Sequence, residues 1–218
     1  MRLLTFKKQL AEFDKFVNVS TTNGLSLKFV KPALYEDDVL FICDMCVPTV
    51  EHVNGTNKSV IYTFRKINPT NAVNNLTNAP LPYVDIPIQL DYENKLFCRV
   101  TFPDSFVKCL PENFIVNLFR SLGHAKVDTT KRSAAADMIA PTNLPNYKQI
   151  TGLLGAPTAI NNNDGKEQLS YWFETLSPQS VTQQKKKYYY LFRYDFNDKK
   201  QMTGLSVSSA LNSLKLNK

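Results

Sequence analysis

Hydrophobic spacing divides the chain into short strands and helices. Leu25, Leu27 and Phe29 alternate with polar residues directly after Asn23-Gly24, a pair that favours a tight hairpin turn. A helical stripe of apolar residues follows Pro111 and ends before Gly123, so the sequence predicts a helix from Pro111 to Leu122. Residues 25–29 are therefore one arm of a predicted β-hairpin whose other arm is 16–20.

The same reasoning assigns the rest of the chain. It predicts helices over 35–46 and 147–154, and strands over 49–53, 60–65, 86–90, 96–102, 158–161, 169–175, 188–195 and 201–207. Residues 1–12 are interpreted as a leader or a short helix, 126–138 as a polar hairpin or a linker, and 68–82 as a long loop. The chain ends in a short amphipathic segment that carries Leu211, Leu214 and Leu216.

An internal repeat organises these elements. Pro48-Thr49 and Pro157-Thr158 are separated by 109 positions, and the segments 90–95 and 194–199 resemble each other at an offset of 104. Around these matches both halves have the order helix, Pro-Thr, turn, aromatic strand, loop, strand, Asp-aromatic turn and strand. A period near a hundred residues is too long for a solenoid unit, so the repeat predicts two copies of a small domain.

The motifs of the second half resemble a known family. They are Leu153-Leu154-Gly155-Ala156-Pro157-Thr158, the strand Tyr171-Trp172-Phe173 and the turn after Asp195. This combination resembles the BamE (SmpA/OmlA) family of bacterial outer-membrane lipoproteins, and it is similar to the fold of the secreted β-lactamase inhibitor proteins. The resemblance implies an α+β fold, with two tandem copies of a helix-plus-antiparallel-sheet domain.

The domain boundaries and the biological setting follow from that resemblance. Residues 1–139 would form the first copy, with the N-terminal hairpin and a following helix, and residues 140–218 the second. The implied protein is a non-enzymatic, lipid-anchored protein of the periplasm or outer membrane (inner leaflet) of a Gram-negative bacterium, possessing no leader here, and it would bind another protein in outer-membrane assembly or maintenance.

Composition and charge set wider limits. Hydrophobic residues make up 43% of the chain and charged residues 21%, as in globular proteins. The formal net charge of +7 favours an acidic partner or an anionic membrane surface. Lys7 and Lys8 interrupt any signal-peptide core, which fits either a cytosolic protein or one whose leader has been removed.

The four cysteines all lie in the first half. Cys43 and Cys46 end a predicted helix, whereas a redox-active pair favours a helix N-terminus, where the dipole stabilises a thiolate. A zinc site would need Cys98 with Cys109 or His52. Two alternatives stay open: buried free thiols, or disulfides that join Cys43 or Cys46 to Cys98 or Cys109, since pairing three positions apart strains a helix.

Other chemistry has little support in the sequence. Neither His52 nor His124 lies in a nucleophile or metalloprotease motif, and the seven glycines form no phosphate-binding loop. We therefore expect no catalytic residue, no metal, no cofactor and no small-molecule substrate.

The predicted binding surface combines exposed aromatic residues with long loops. Its residues are Tyr62, Tyr171, Trp172, Phe173, Tyr189, Lys185, Lys186 and Lys187, together with the loops 68–83 and 176–187. Two alternative functions use the same residues: a secreted or periplasmic enzyme inhibitor, and a basic nucleic-acid-binding protein, for which lysines next to tyrosines would supply charge and stacking. Nucleic-acid binding is the less favoured, because consecutive strand tyrosines face opposite sides.

Overall fold

The structure is a computed structural model that describes residues 2–22, 24–44, 46–68, 83–107, 110–139, 144–163, 166–176 and 188–218. Its helices are α1 (Arg2–Ala11), α2 (Phe13–Phe16), α3 (Glu36–Ile42), α4 (Asp104–Val107), α5 (Glu112–Gly123) and α6 (Tyr147–Leu154). Its strands are β1 (Val17–Ser20), β2 (Leu25–Phe29), β3 (Val50–Asn54), β4 (Asn57–Lys66), β5 (Asp85–Glu93), β6 (Leu96–Phe102), β7 (Lys126–Asp128), β8 (Ser133–Asp137), β9 (Ala159–Asn163), β10 (Lys166–Thr175), β11 (Tyr189–Phe196), β12 (Met202–Ser208) and β13 (Ser213–Asn217).

All thirteen described strands belong to one sheet. Its order is β1-β2-β6-β5-β4-β10-β11-β12-β13-β8-β7, with β3 added to β4 and β9 added to β10. The sheet is mixed, because β13 and β8 run parallel. The predicted fold class, two tandem domains that each have their own antiparallel sheet, is therefore wrong. The prediction failed because sequence spacing does not show that β4 and β10 pair with each other.

The spacings read from the sequence reappear in the strand registers. In the β3–β4 hairpin Val50 pairs with Ile61, and in the β9–β10 hairpin Ala159 pairs with Ser170, at the offset of 109. The register shifts after Asp91 in β5 and after Asp195 in β11, at the offset of 104. The two halves thus repeat their strand order and their bulge within one continuous sheet.

The two halves meet where the ends of β4 and β10 pair. The pairs are Phe64 with Thr175, Arg65 with Glu174, and Lys66 with Phe173. Arg65 and Glu174 are equivalent at the offset of 109, so the junction has an approximate two-fold symmetry about this pair.

The Pro-Thr motif stabilises this junction from both sides. The Thr49 hydroxyl accepts from the Thr63 N–H at 3.1 Å and donates to the Leu176 carbonyl of the other half at 3.0 Å. The Thr158 hydroxyl accepts from the Trp172 N–H at 3.3 Å and donates to the Ile67 carbonyl at 3.4 Å. Each threonine therefore connects its own strand to the opposite half.

The helices cover one face of the sheet, the packed face. Phe6 of α1 contacts Phe29 and Phe97, and Phe119 of α5 contacts Phe102. Strand side chains point alternately to opposite faces, so every second residue of each strand joins this core. The other face, the open face, carries no helix in the part of the chain that the structure describes.

Several local predictions can now be compared with the structure. The hairpins 16–29 and 126–137 form, and Pro111 is the N-cap of α5. Helix α3 ends at Ile42 instead of Cys46, because Asp44 takes a left-handed conformation (φ 53°). The C-terminal amphipathic segment is strand β13, with Leu216 buried.

Candidate docking surface

Three residues of the predicted binding surface lie in the core. Tyr62, Tyr171 and Phe173 are buried on the packed face, and the Tyr171 hydroxyl donates to the Gly155 carbonyl at 3.1 Å. Burial raises the pKa of the Tyr62 and Tyr171 hydroxyls, so both stay protonated. These three positions are corrected from binding residues to core residues.

Trp172 and Tyr189 lie on the open face, as the binding-surface prediction requires. Trp172 is 39% exposed and Tyr189 is 45% exposed. They sit on neighbouring strands, because Trp172 pairs with Leu191 and Glu174 pairs with Tyr189. Each is flanked along its strand by buried residues that fix the backbone. Lys185, Lys186 and Lys187 lie outside the described residues, as do most of the two predicted binding loops.

Sequence reasoning missed two residues next to them. Arg65 forms a two-point ion pair with Asp85, at 2.8 and 2.6 Å, and its guanidinium lies 4.3 Å from the centre of the Tyr83 ring. The Asp85 carboxylate raises the pKa of Arg65. Tyr83 is two-thirds exposed. The spacing of Tyr83 and Asp85 before a strand gave a signal, but their partner was not evident without the β4–β5 register.

Arg65, Tyr83, Trp172 and Tyr189 form what we call the junction patch. It lies on the open face at the symmetric contact between β4 and β10, where Glu174 pairs with Arg65. Trp, Tyr and Arg are the residues most enriched among those that dominate the energy of protein interfaces. A rigid central strand pair carries them, so little conformational entropy is lost when they are covered.

A groove of about 730 Å³ opens beside the junction patch. It runs from Trp172 to the turn between β12 and β13. Its lining residues are Asp44, Ile67, Trp172, Tyr188, Tyr189, Ser208, Ser209, Ala210 and Leu211. The groove therefore adds an apolar and aromatic concavity to the otherwise polar open face.

The described cysteines are free thiols. Cys43, Cys46 and Cys98 form no disulfide, so the disulfide prediction is wrong for these three, and Cys109 lies outside the described residues. The hydrogen bond from the Cys43 thiol to Cys46 raises the pKa of Cys43 and lowers that of Cys46. The Cys98 thiol donates to the Asp91 carbonyl at the β5 bulge, 3.2 Å away. Their structural role is local hydrogen bonding.

No metal centre is visible around the histidines or cysteines. Among the described residues, no three His, Cys, Asp or Glu side chains cluster as metal ligands do. His52 is exposed in β3, and His124 is exposed directly after α5. The helices in the described ranges are also too short or too polar to cross a membrane.

Comparisons with known proteins add no identity to this picture. No protein-family model matches the chain, no curated protein matches it, and no solved structure matches it. The resemblance to the BamE family therefore stays a prediction from the sequence motifs.

Proposed function

We propose that this chain is a non-enzymatic binding protein whose open face docks another protein, with the junction patch at the centre of the contact. The observation that carries the proposal is the placement of exposed Trp172 and Tyr189 at the only junction between the two halves that strand pairing forms in the described sheet. A place in the bacterial envelope is the part of the proposal that rests on the sequence resemblance alone.

The composition of the open face supports this function. It presents aromatic rings and an arginine at its centre and polar side chains around them, as protein interfaces do. The open face is also continuous across the halves, so one partner can contact both. Thr49 and Thr158 hold the junction together, which fixes the relative positions of the patch residues before any partner binds.

A capture experiment with matched variants tests the proposal. The chain and the double variant Trp172→Ala/Tyr189→Ala are immobilised and exposed to the same cell-envelope extract, and retained proteins are identified by mass spectrometry. We expect a protein that the wild type retains and the double variant loses. Removing two central aromatic anchors weakens such interfaces by about 100-fold or more.

The control replaces exposed apolar residues outside the patch. Leu4 on α1 and Val127 on β7 are both more exposed than Trp172. The variant Leu4→Ala/Val127→Ala should retain the same protein, and both variants should keep the wild-type circular dichroism spectrum. If every retained protein binds the two variants equally well, the junction patch is not the docking site.

A further inference from the structure

The groove beside the junction patch combines aromatic rings with a carboxylate. Trp172, Tyr188 and Tyr189 contribute the rings, and Asp44 is the only charged side chain among the described lining residues. Aromatic rings attract cations to their negative faces, most strongly tryptophan. The lining is therefore suited to a group that is both positively charged and flat or apolar.

The Asp44 carboxylate is held in place without a cation. It accepts from the Asn212 amide Nδ2 at 2.5 Å and from the Leu211 N–H at 3.4 Å. No described lysine or arginine forms an ion pair with it. Asp44 is also buried, and a buried carboxylate with only neutral partners is costly, so a bound cation would lower its free energy.

We infer that this groove binds an arginine side chain presented by the partner protein. Arginine fits better than lysine, because its planar guanidinium can stack on aromatic rings and donate two parallel hydrogen bonds to a carboxylate. The inference rests on the proposed function, since it names the partner's side chain. It assigns the groove the role of a specificity pocket next to the junction patch.

Fluorescence provides a direct test, because Trp172 is the one tryptophan of the chain. The protein is titrated with N-acetyl-arginine amide and, separately, with N-acetyl-citrulline amide, which has nearly the same shape without the charge. We expect saturable quenching by the arginine compound with a Kd on the order of millimolar, and at least about tenfold weaker binding of the citrulline compound.

Variants locate the charge and the rings. Asp44→Asn should weaken arginine binding by about tenfold or more, because a hydrogen bond to a charged group is lost. The control Asp198→Asn, in the turn at the far end of β11, should bind as the wild type does. Tyr189→Leu keeps an apolar side chain but removes a ring, and we expect it to weaken arginine binding without changing the fold, which circular dichroism would check.

The possible outcomes separate this inference from the proposed function. Equal quenching by both compounds, unchanged binding by Asp44→Asn, or no saturable quenching would each overturn the arginine pocket. If partner capture still depends on Trp172 and Tyr189 in that case, the docking function stands without the pocket. If arginine binds as expected but no partner depends on Trp172 and Tyr189, the docking function fails and the groove is a binding site of another kind.

Discussion

The Pro-Thr motifs offer the sharpest test of how the two halves are joined. The change is Thr49→Val, which keeps the shape of the side chain and removes its hydroxyl. The hydroxyl makes two hydrogen bonds, at 3.0 and 3.1 Å, and one of them crosses the junction. Each such bond contributes about 1 kcal/mol, so we expect the free energy of unfolding to fall by about 2 kcal/mol.

The second threonine gives an internal comparison. The bonds of Thr158 are longer, at 3.3 and 3.4 Å, so Thr158→Val should cost about half as much as Thr49→Val. Urea denaturation followed by Trp172 fluorescence measures both, and the melting temperature of Thr49→Val should fall by roughly 4–8 °C. Thr49→Ser keeps the hydroxyl and is the control. A loss below about 0.5 kcal/mol for Thr49→Val would refute the junction role.

Three further predictions concern the core. Burial lowers the pKa of Lys66, so the unfolded chain takes up a proton there first as the pH falls; the stability of Lys66→Met relative to wild type should therefore be greatest near neutral pH and shrink as the pH rises towards the normal lysine value of 10.5, and a flat or rising difference contradicts this. A Cβ on Gly123 would meet the Ala11 nitrogen at 2.1 Å, so Gly123→Ala should destabilise by about 3 kcal/mol or more, whereas Gly152→Ala in α6 meets nothing within 4 Å and should stabilise by about 0.5–1 kcal/mol; chemical denaturation that ranks them otherwise contradicts the α1–α5 packing. Alkylation in denaturant without reductant, read by mass spectrometry, should modify Cys43, Cys46 and Cys98 as free thiols, and recovery of a disulfide between any two would contradict the structure.

The sequence predicted local elements well because short-range physics determines them. Asn-Gly and Gly positions marked turns, and alternating residues marked strands such as β2 and β10. Asp44 shows the limit of this reasoning. Helical spacing continued to Cys46, but the left-handed residue at position 44 ended α3 early, and its partners lie more than 160 residues away in the β12–β13 turn.

Long-range pairing was beyond the sequence pattern. The β4–β10 contact involves three residues at the end of each strand, and the parallel β8–β13 pair joins segments on opposite sides of the predicted boundary near residue 140. Without these pairings, the face to which each strand residue points is undetermined. That is why Tyr62, Tyr171 and Phe173 were expected on the surface with Trp172, although alternation alone placed Trp172 opposite its two neighbours.

Site-specific photo-crosslinking tests the docking function most directly. Benzoylphenylalanine replaces Trp172 in one variant and Leu4, which is 70% exposed on α1, in another, and each is irradiated in the same cell-envelope extract. We predict a covalent adduct with a single protein from position 172 and none with that protein from position 4. An adduct formed from position 4 but not from position 172 would show that the partner contacts the helices, which would contradict docking on the open face.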